Sequence, residues 1–235
     1  MAYDFLGLVN DVNNRLNEVE LTATTPSVTG TFDTATGYFS FAKDAVNSAL
    51  RHINQEEFEW PWNHVAETEI LAPGQVRYGY PNDAKTINMN TFRIQRSSTF
   101  NTPTVKLKIM SYEEWLEKYA DTEYNTNASD RTTPTHIIRT PSRELICYPN
   151  PDQAYEMDYE YYRISFELEN ATDVPTLPEQ YRYVIVDGAM HYVYQFRGDT
   201  AAANVALQKF TAGIKHLRSI HINRTDYVRD TRVHF

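Results

Sequence analysis

The chain has 235 residues, 41% of them hydrophobic and 23% charged, enough apolar material for a packed core and too much for a disordered chain. Its formal net charge is −9, which excludes general nucleic-acid binding through a broad cationic surface. The single cysteine, Cys147, excludes an intramolecular disulfide, and no apolar run is long enough to span a membrane.

The start, "MAYDFLGLVNDVNN", lacks the basic region and cleavage site of a signal peptide, so synthesis in the cytoplasm is expected. Residues 4–19 place Phe5, Leu8, Val9, Val12, Leu16 and Val19 at spacings of three and four. This predicts an amphipathic helix capped by Asp4. The Thr-rich stretch 22–36, with Pro26 and Gly30, reads as a long loop of the kind that contacts a partner. A second helix is predicted over 38–58, with its stripe on Ala42, Ala45, Val46, Ala49, Leu50, Ile53 and Phe58, ended by Pro61.

Beyond Pro61 the apolar period changes from helical to alternating. "HVAETEIL", "TVKLKIM", "ELICYP" and "YEMDYEYYRISFEL" predict a meander of antiparallel strands over about residues 64–168. One short helix interrupts it at "SYEEWLEKYA", where Ser111 and Glu114 form a capping box. Pro175 and Pro178 close this region. Helical spacing returns through Tyr181, Val184, Ile185, Ala189, Tyr192 and Phe196, with Gly198 as the stop and Asp199 as the cap of a last helix over 200–221. The end, "NRTDYVRDTRVHF", has no clean period and reads as an extended arm.

The expected fold is therefore α+β: a four-helix bundle built from both chain ends, with an inserted antiparallel β-sandwich-like domain and an extended C-terminal arm. The boundaries read from sequence are 1–60 and 177–222 for the two halves of the bundle, 61–176 for the insertion and 223–235 for the arm. Phe58, Trp60, Pro61 and Trp62, in "EEFEWPWNHV", are read as packing at the junction where the chain changes domain.

Searches for chemistry return little. No H-E-x-x-H, Cys/His ligand spacing, nucleophile elbow or phosphate-binding glycine loop is present. Asp187 and His191, four apart, read as a hydrogen-bonded pair on a helix surface rather than metal ligands. Cys147 reads as a buried structural thiol. Glu156, Asp158 and Glu160 alternate along one strand face, as do Glu167 and Glu169, and read as a solvated acidic edge rather than a glycosidase pair. No catalytic residue, cofactor or metal is assigned. Two other readings remain open. One is a carbohydrate-binding β module with Trp60, Trp62, Trp115 and the Tyr-rich strand as its stacking platform; the other is the glycosidase. The terminal segment is different in charge. Lys215, Arg218, Arg224, Arg229 and Arg232 outnumber Asp226 and Asp230, which suggests docking on an acidic partner surface.

With these residues in view, the chain resembles the head-to-tail adaptor proteins of tailed bacteriophages, the tail tubular protein A type of short-tailed phages. The likeness is carried by "LVNDVNNRLNEVELT", "AKDAVNSALRHINQEEFEWPWNH" and "LPEQYRYVIVDGAMHYVYQFRGDTAAANVALQKFTAGIKHL". In the last of these, Pro178, Tyr181, Arg182, Ile185, Ala189, Phe196, Gly198 and Asp199 hold the pattern's places. The resemblance implies a non-enzymatic virion protein of the neck: a homo-oligomeric ring, usually of twelve subunits, mounted under the portal protein. DNA would pass through its centre without sequence-specific binding, and a tail nozzle or tail tube protein would lie below. The use of the C-terminus in such adaptors implies a portal-docking arm in which Arg224, Tyr227, Arg229, Arg232 and Phe235 dock and Arg218 and His221 support its base. Turn character makes Pro73, Gly74 and Asn82 the expected tail-facing residues.

Overall fold

A computed structural model describes residues 3–22, 32–95 and 104–222. Five α-helices and eight β-strands are present among them: α1 (Phe5–Arg15), α2 (Tyr38–Glu56), β1 (His64–Leu71), β2 (Arg77–Gly79), β3 (Ala84–Gln95), β4 (Val105–Lys106), β5 (Lys108–Met110), α3 (Tyr112–Lys118), β6 (His136–Arg139), β7 (Glu144–Tyr148), β8 (Tyr155–Arg163), α4 (Tyr183–Phe196) and α5 (Thr200–His221). The chain divides into two compact units, residues 1–63 with 165–235, and residues 64–164.

Local signals explain most helix ends. The Asp4 carboxylate accepts from the Gly7 N–H, the Ser111 hydroxyl from Glu114 N–H, and Asp199 from Ala202 N–H, each satisfying a donor that has no partner within its helix. After α4, Gly198 adopts φ +76°. The Gly198 and Asp199 N–H groups then return to the carbonyls of Gln195 and Tyr194, the double hydrogen bond that closes a helix on a left-handed residue. Helix α1 closes in the same way, but on a non-glycine. Asn17 sits at φ +58°, with Asn17 N–H and Glu18 N–H bonded to Asn14 and Asn13 carbonyls. The helix therefore stops at Arg15 instead of running to 19, and Val19 is left exposed. Asparagine tolerates this conformation better than other side chains, and that was the missed signal.

In the helical unit α4 is the shared partner, packed against α5, α2 and α1. Its core joins Phe5, Leu8, Val12, Phe32, Val46, Ile53, Val184, Ile185, Ala189, Phe210 and Leu217 with Trp60. Two glycines let the helices approach. A Cβ on Gly188 would lie 2.6 Å from the Phe210 ring and 2.9 Å from Ala49, and one on Gly213 would lie 2.9 Å from Val184. Residues 165–176, expected to close the β insertion, lie in this helical unit. Asn47 holds Leu168 through both its amide donor and its carbonyl oxygen, at 2.9 and 3.0 Å, and the Phe5 and Leu6 N–H groups donate to Asp173 and Ala171.

The other unit is built from two four-stranded sheets, in the orders β1-β8-β3-β4 and β2-β7-β6-β5. This is not a meander, and it is not wholly antiparallel: β5 and β6 run parallel. The connection between them, 111–135, contains α3 and two 3₁₀ turns and supplies the crossover a parallel pair needs. The run Val105–Ile109, continuous in its alternation, is divided at buried Leu107. Before it the chain pairs with β3, and after it with β6. Alternation along β8 turns Tyr155, Met157, Tyr159 and Tyr161 inward. They meet Leu145, Ile137 and Cys147 of the second sheet in one core, with Cys147 Sγ 3.9 Å from Met157 Sδ. The second sheet is also covered on its far face, where Trp115 of α3 packs with Val76, Ile138 and Ile146.

Candidate interaction surfaces

The root of the C-terminal arm is built on the end of α2. A helix leaves its last four carbonyls without internal partners. Here three side chains take up carbonyls of the final two turns. Asn54 Nδ2 donates to Leu50 at 2.9 Å, Trp60 Nε1 donates to Ile53 at 2.8 Å, and the Arg218 guanidinium, arriving from the last turn of α5, donates to Glu56. Arg218 also faces the Glu56 carboxylate at 3.1 Å and that of Glu57 at 3.5 Å. A cation at a helix C-terminus is favourably placed against the helix dipole. Buried Asn63 continues the set, donating to Asn54 Oδ1 at 2.8 Å and accepting from Thr176 at 3.2 Å.

Trp60 is fully buried and stacks on Trp62 at 4.5 Å between ring centroids. The His221 ring meets Trp62 edge-on at 5.4 Å and Tyr181 at 5.1 Å. Pro61 opens a single 3₁₀ turn, and Phe58 is 59% exposed. Of the residues assigned to the portal-docking arm and its base, Arg218 and His221 are thus engaged within the helical unit. Arg224, Tyr227, Arg229, Arg232 and Phe235 lie outside the described residues, as does most of the 22–36 loop. The structural role of Arg218 has no local sequence signature, because its partner lies 162 positions away.

The three turn residues do not share one end of the β unit. Leu71 pairs with Tyr155 and His64 with Tyr162, so the turn holding Pro73 and Gly74 lies at the end opposite residues 64 and 164. Asn82 sits beside Asp83, whose carbonyl accepts from Ile164 N–H, at the end where the chain enters and leaves. Gly74, at φ +75°, donates its N–H to Pro151. A Cβ there would lie 2.6 Å from the Arg131 guanidinium, the end of a flexible side chain that can shift, so it is the positive φ that favours glycine.

The chemical candidates resolve into structural groups. Asp187 and His191 do not form a surface pair. Asp187 binds Arg15 at 2.6 Å, while buried His191 is 2.9 Å from the Ala203 carbonyl. Asp158 accepts from Thr68 at 2.7 Å, and Glu160 lies 3.2 Å from His64. Glu167 pairs with Arg51 and belongs to the other unit from Glu156. Burial pushes the Cys147 thiol up to about 12. Trp60 and Trp115 are enclosed in cores, and Tyr155, Tyr159 and Tyr161 point inward, so these rings are not presented as a glycan platform. One ion cluster was not anticipated. Arg77 grips Glu123 at 2.5 and 3.0 Å and Glu144 at 2.9 Å, tying a 3₁₀ turn to β2 and β7. Hydrogen bonds from Arg77, then Ser142, hold the Glu144 carboxyl below its usual range. No group of three metal-ligating side chains occurs among the described residues, and no described helix is long and apolar enough to cross a membrane.

The two packed units also carry exposed large apolar side chains, among them Val19, Ile70, Phe196 and Val205. A family model described as SU10 adaptor protein matches residues 3–233, and the chain belongs to that family of phage adaptors. No curated protein matches the chain significantly.

Proposed function

We propose that the protein is a non-enzymatic structural component of the virion neck, made in the host cytoplasm. It joins the portal to the tail as a homo-oligomeric ring of twelve copies. The observation that carries this reading is the family match, which extends across both units to residue 233. Three features support the finer reading. The net charge of −9 suits a ring whose channel lets DNA slide, since clustered cations would hold phosphates. The segment from Lys215 onward is mostly basic and contains isolated apolar residues, as a docking arm for the portal requires. The pattern from Pro178 to Asp199 resembles that of the tail tubular protein A type, which supports a partner of the nozzle or tail-tube kind.

The test is light-scattering mass on the purified full chain, alone and mixed with the portal of its phage, beside a variant ending at Ile222. The full chain enters a stoichiometric complex with the portal. The shortened chain keeps its circular dichroism and stays out. A full chain that remains monomeric beside the portal refutes the adaptor function, and a shortened chain that still joins refutes the arm's role.

A further inference from the structure

We infer that the outer face of α5 is a docking surface for the acidic side of α2 and its flanking residues on a second copy of this chain. The inference rests on the ring reading above and names the surfaces that would close it.

Charge is unevenly divided in the helical unit. Helix α5 has 22 residues and not one Asp or Glu, in a chain of net charge −9. Residues 1–63 carry nine acidic side chains and only three basic ones, Arg15, Lys43 and Arg51. All three cations are used within the chain: Arg15 on Asp187, Arg51 on Glu167, and Lys43 on the Phe32 carbonyl at 3.0 Å. Asp33, Asp44 and Glu59 are exposed and have no partner among the described residues. On α5 the same holds for Lys209 and Lys215.

The α5 face also has apolar content. Its inner side packs on α4, leaving Val205, Lys209, Ala212, His216 and Ile220 along one exposed stripe. At 1.5 Å per residue this stripe is about 22 Å long. Val205 is 55% exposed, at the rim of a groove formed with Met190, Tyr194, Ala202, Ala206 and Lys209 and floored at one side by the Arg15–Asp187 ion pair. An apolar strip edged by unpaired cations fits a protein surface with exposed carboxylates. Two-fold pairing of like faces would set Lys209 and Lys215 against their own counterparts. Head-to-tail pairing brings opposite charge together and propagates around a ring.

The test uses full-length protein, half of it ¹⁵N-labelled, alone at high concentration and on the portal. A carbodiimide joins amines to carboxylates that are already in contact. The expected products are heavy–light cross-links from Lys209 or Lys215 to Asp33, Asp44 or Glu59. The double change Lys209→Glu and Lys215→Glu leaves the fold intact and weakens self-association at least tenfold. Adding Asp44→Lys and Glu59→Lys to the same chain restores it. If assembly occurs but the cross-links fall elsewhere, or reversal has no effect, this surface is wrong and the ring stands. Absence of assembly even on the portal removes the ring and the inference together. Retention on immobilised duplex DNA that the double reversal abolishes, without any change in self-association, assigns the face to nucleic acid and overturns the proposal.

Discussion

Replacing Gly188 by alanine sets two effects of known size against each other. In an exposed helix interior the change stabilises by about 1 kcal/mol, because glycine has the larger backbone entropy to lose. At Gly188 the new Cβ would lie 2.6 and 2.8 Å from two Phe210 ring atoms and 2.9 Å from the Ala49 Cβ. Phe210 and Ala49 are both fully buried, and neither is the free end of a flexible chain, so α2 or α5 must move away from α4. Overpacking of this kind costs about 1–3 kcal/mol, and the absence of slack on two sides puts it toward the upper value. The net expectation is a loss of about 1–2 kcal/mol, and a melting temperature lower by several degrees at about 2–8 °C per kcal/mol. Urea and thermal unfolding followed by circular dichroism measure it. Gly79→Ala, whose Cβ would meet nothing within 4 Å, is the control and is expected to be neutral or slightly stabilising. Phe210→Leu opens space at the same contact, so it should reduce the penalty of Gly188→Ala when the two are combined. If Gly188→Ala raises the melting temperature, the close approach of α4 to its neighbours is wrong.

Arg218→Met removes the cation from the end of α2 while keeping the aliphatic stem. Because the guanidinium is partly solvated, the loss is put at about 1–2 kcal/mol, read from the urea midpoint, and an unchanged midpoint rejects the clamp. Cys147 should resist a disulfide reagent in native protein at pH 8 and react only as the β unit unfolds, because its thiol is buried and pushed up to about 12. Burial likewise raises the Tyr78 and Tyr161 phenols to about 12. Folded values above the ordinary 10 mean that this stabilisation is present below pH 10 and is lost as pH rises through 12. Ultraviolet titration should show these two rings ionising late, or together with alkaline unfolding. Glu144 has the opposite sign, since its folded value is lowered. Its contribution is present above the ordinary carboxylate range and is lost as pH falls through the folded value, so Glu144→Gln should flatten the acid limb of a stability–pH curve.

The sequence by itself determined the elements whose causes are local. Asp4, Ser111 and Asp199 cap the helices they were expected to cap, α5 occupies the expected residues 200–221, and the change of period after Pro61 marks the passage from helix to strand. It also determined the charge contrast between the acidic beginning of the chain and its final helix, since composition does not depend on folding. Tertiary structure alone decided which elements share a core. Leu107 divides an alternating run because the two halves find partners in different sheets, and alternation does not say which strand lies next to which. Residues 165–168 alternate like the strand before them, yet Asn47 of α2 captures Leu168 for the helical unit. Arg218 reads from sequence as support at the base of the arm, but only the fold shows its partner at the end of α2, 162 positions away. Such long-range choices depend on burial and on satisfying backbone groups, and these are set only once the whole chain has packed.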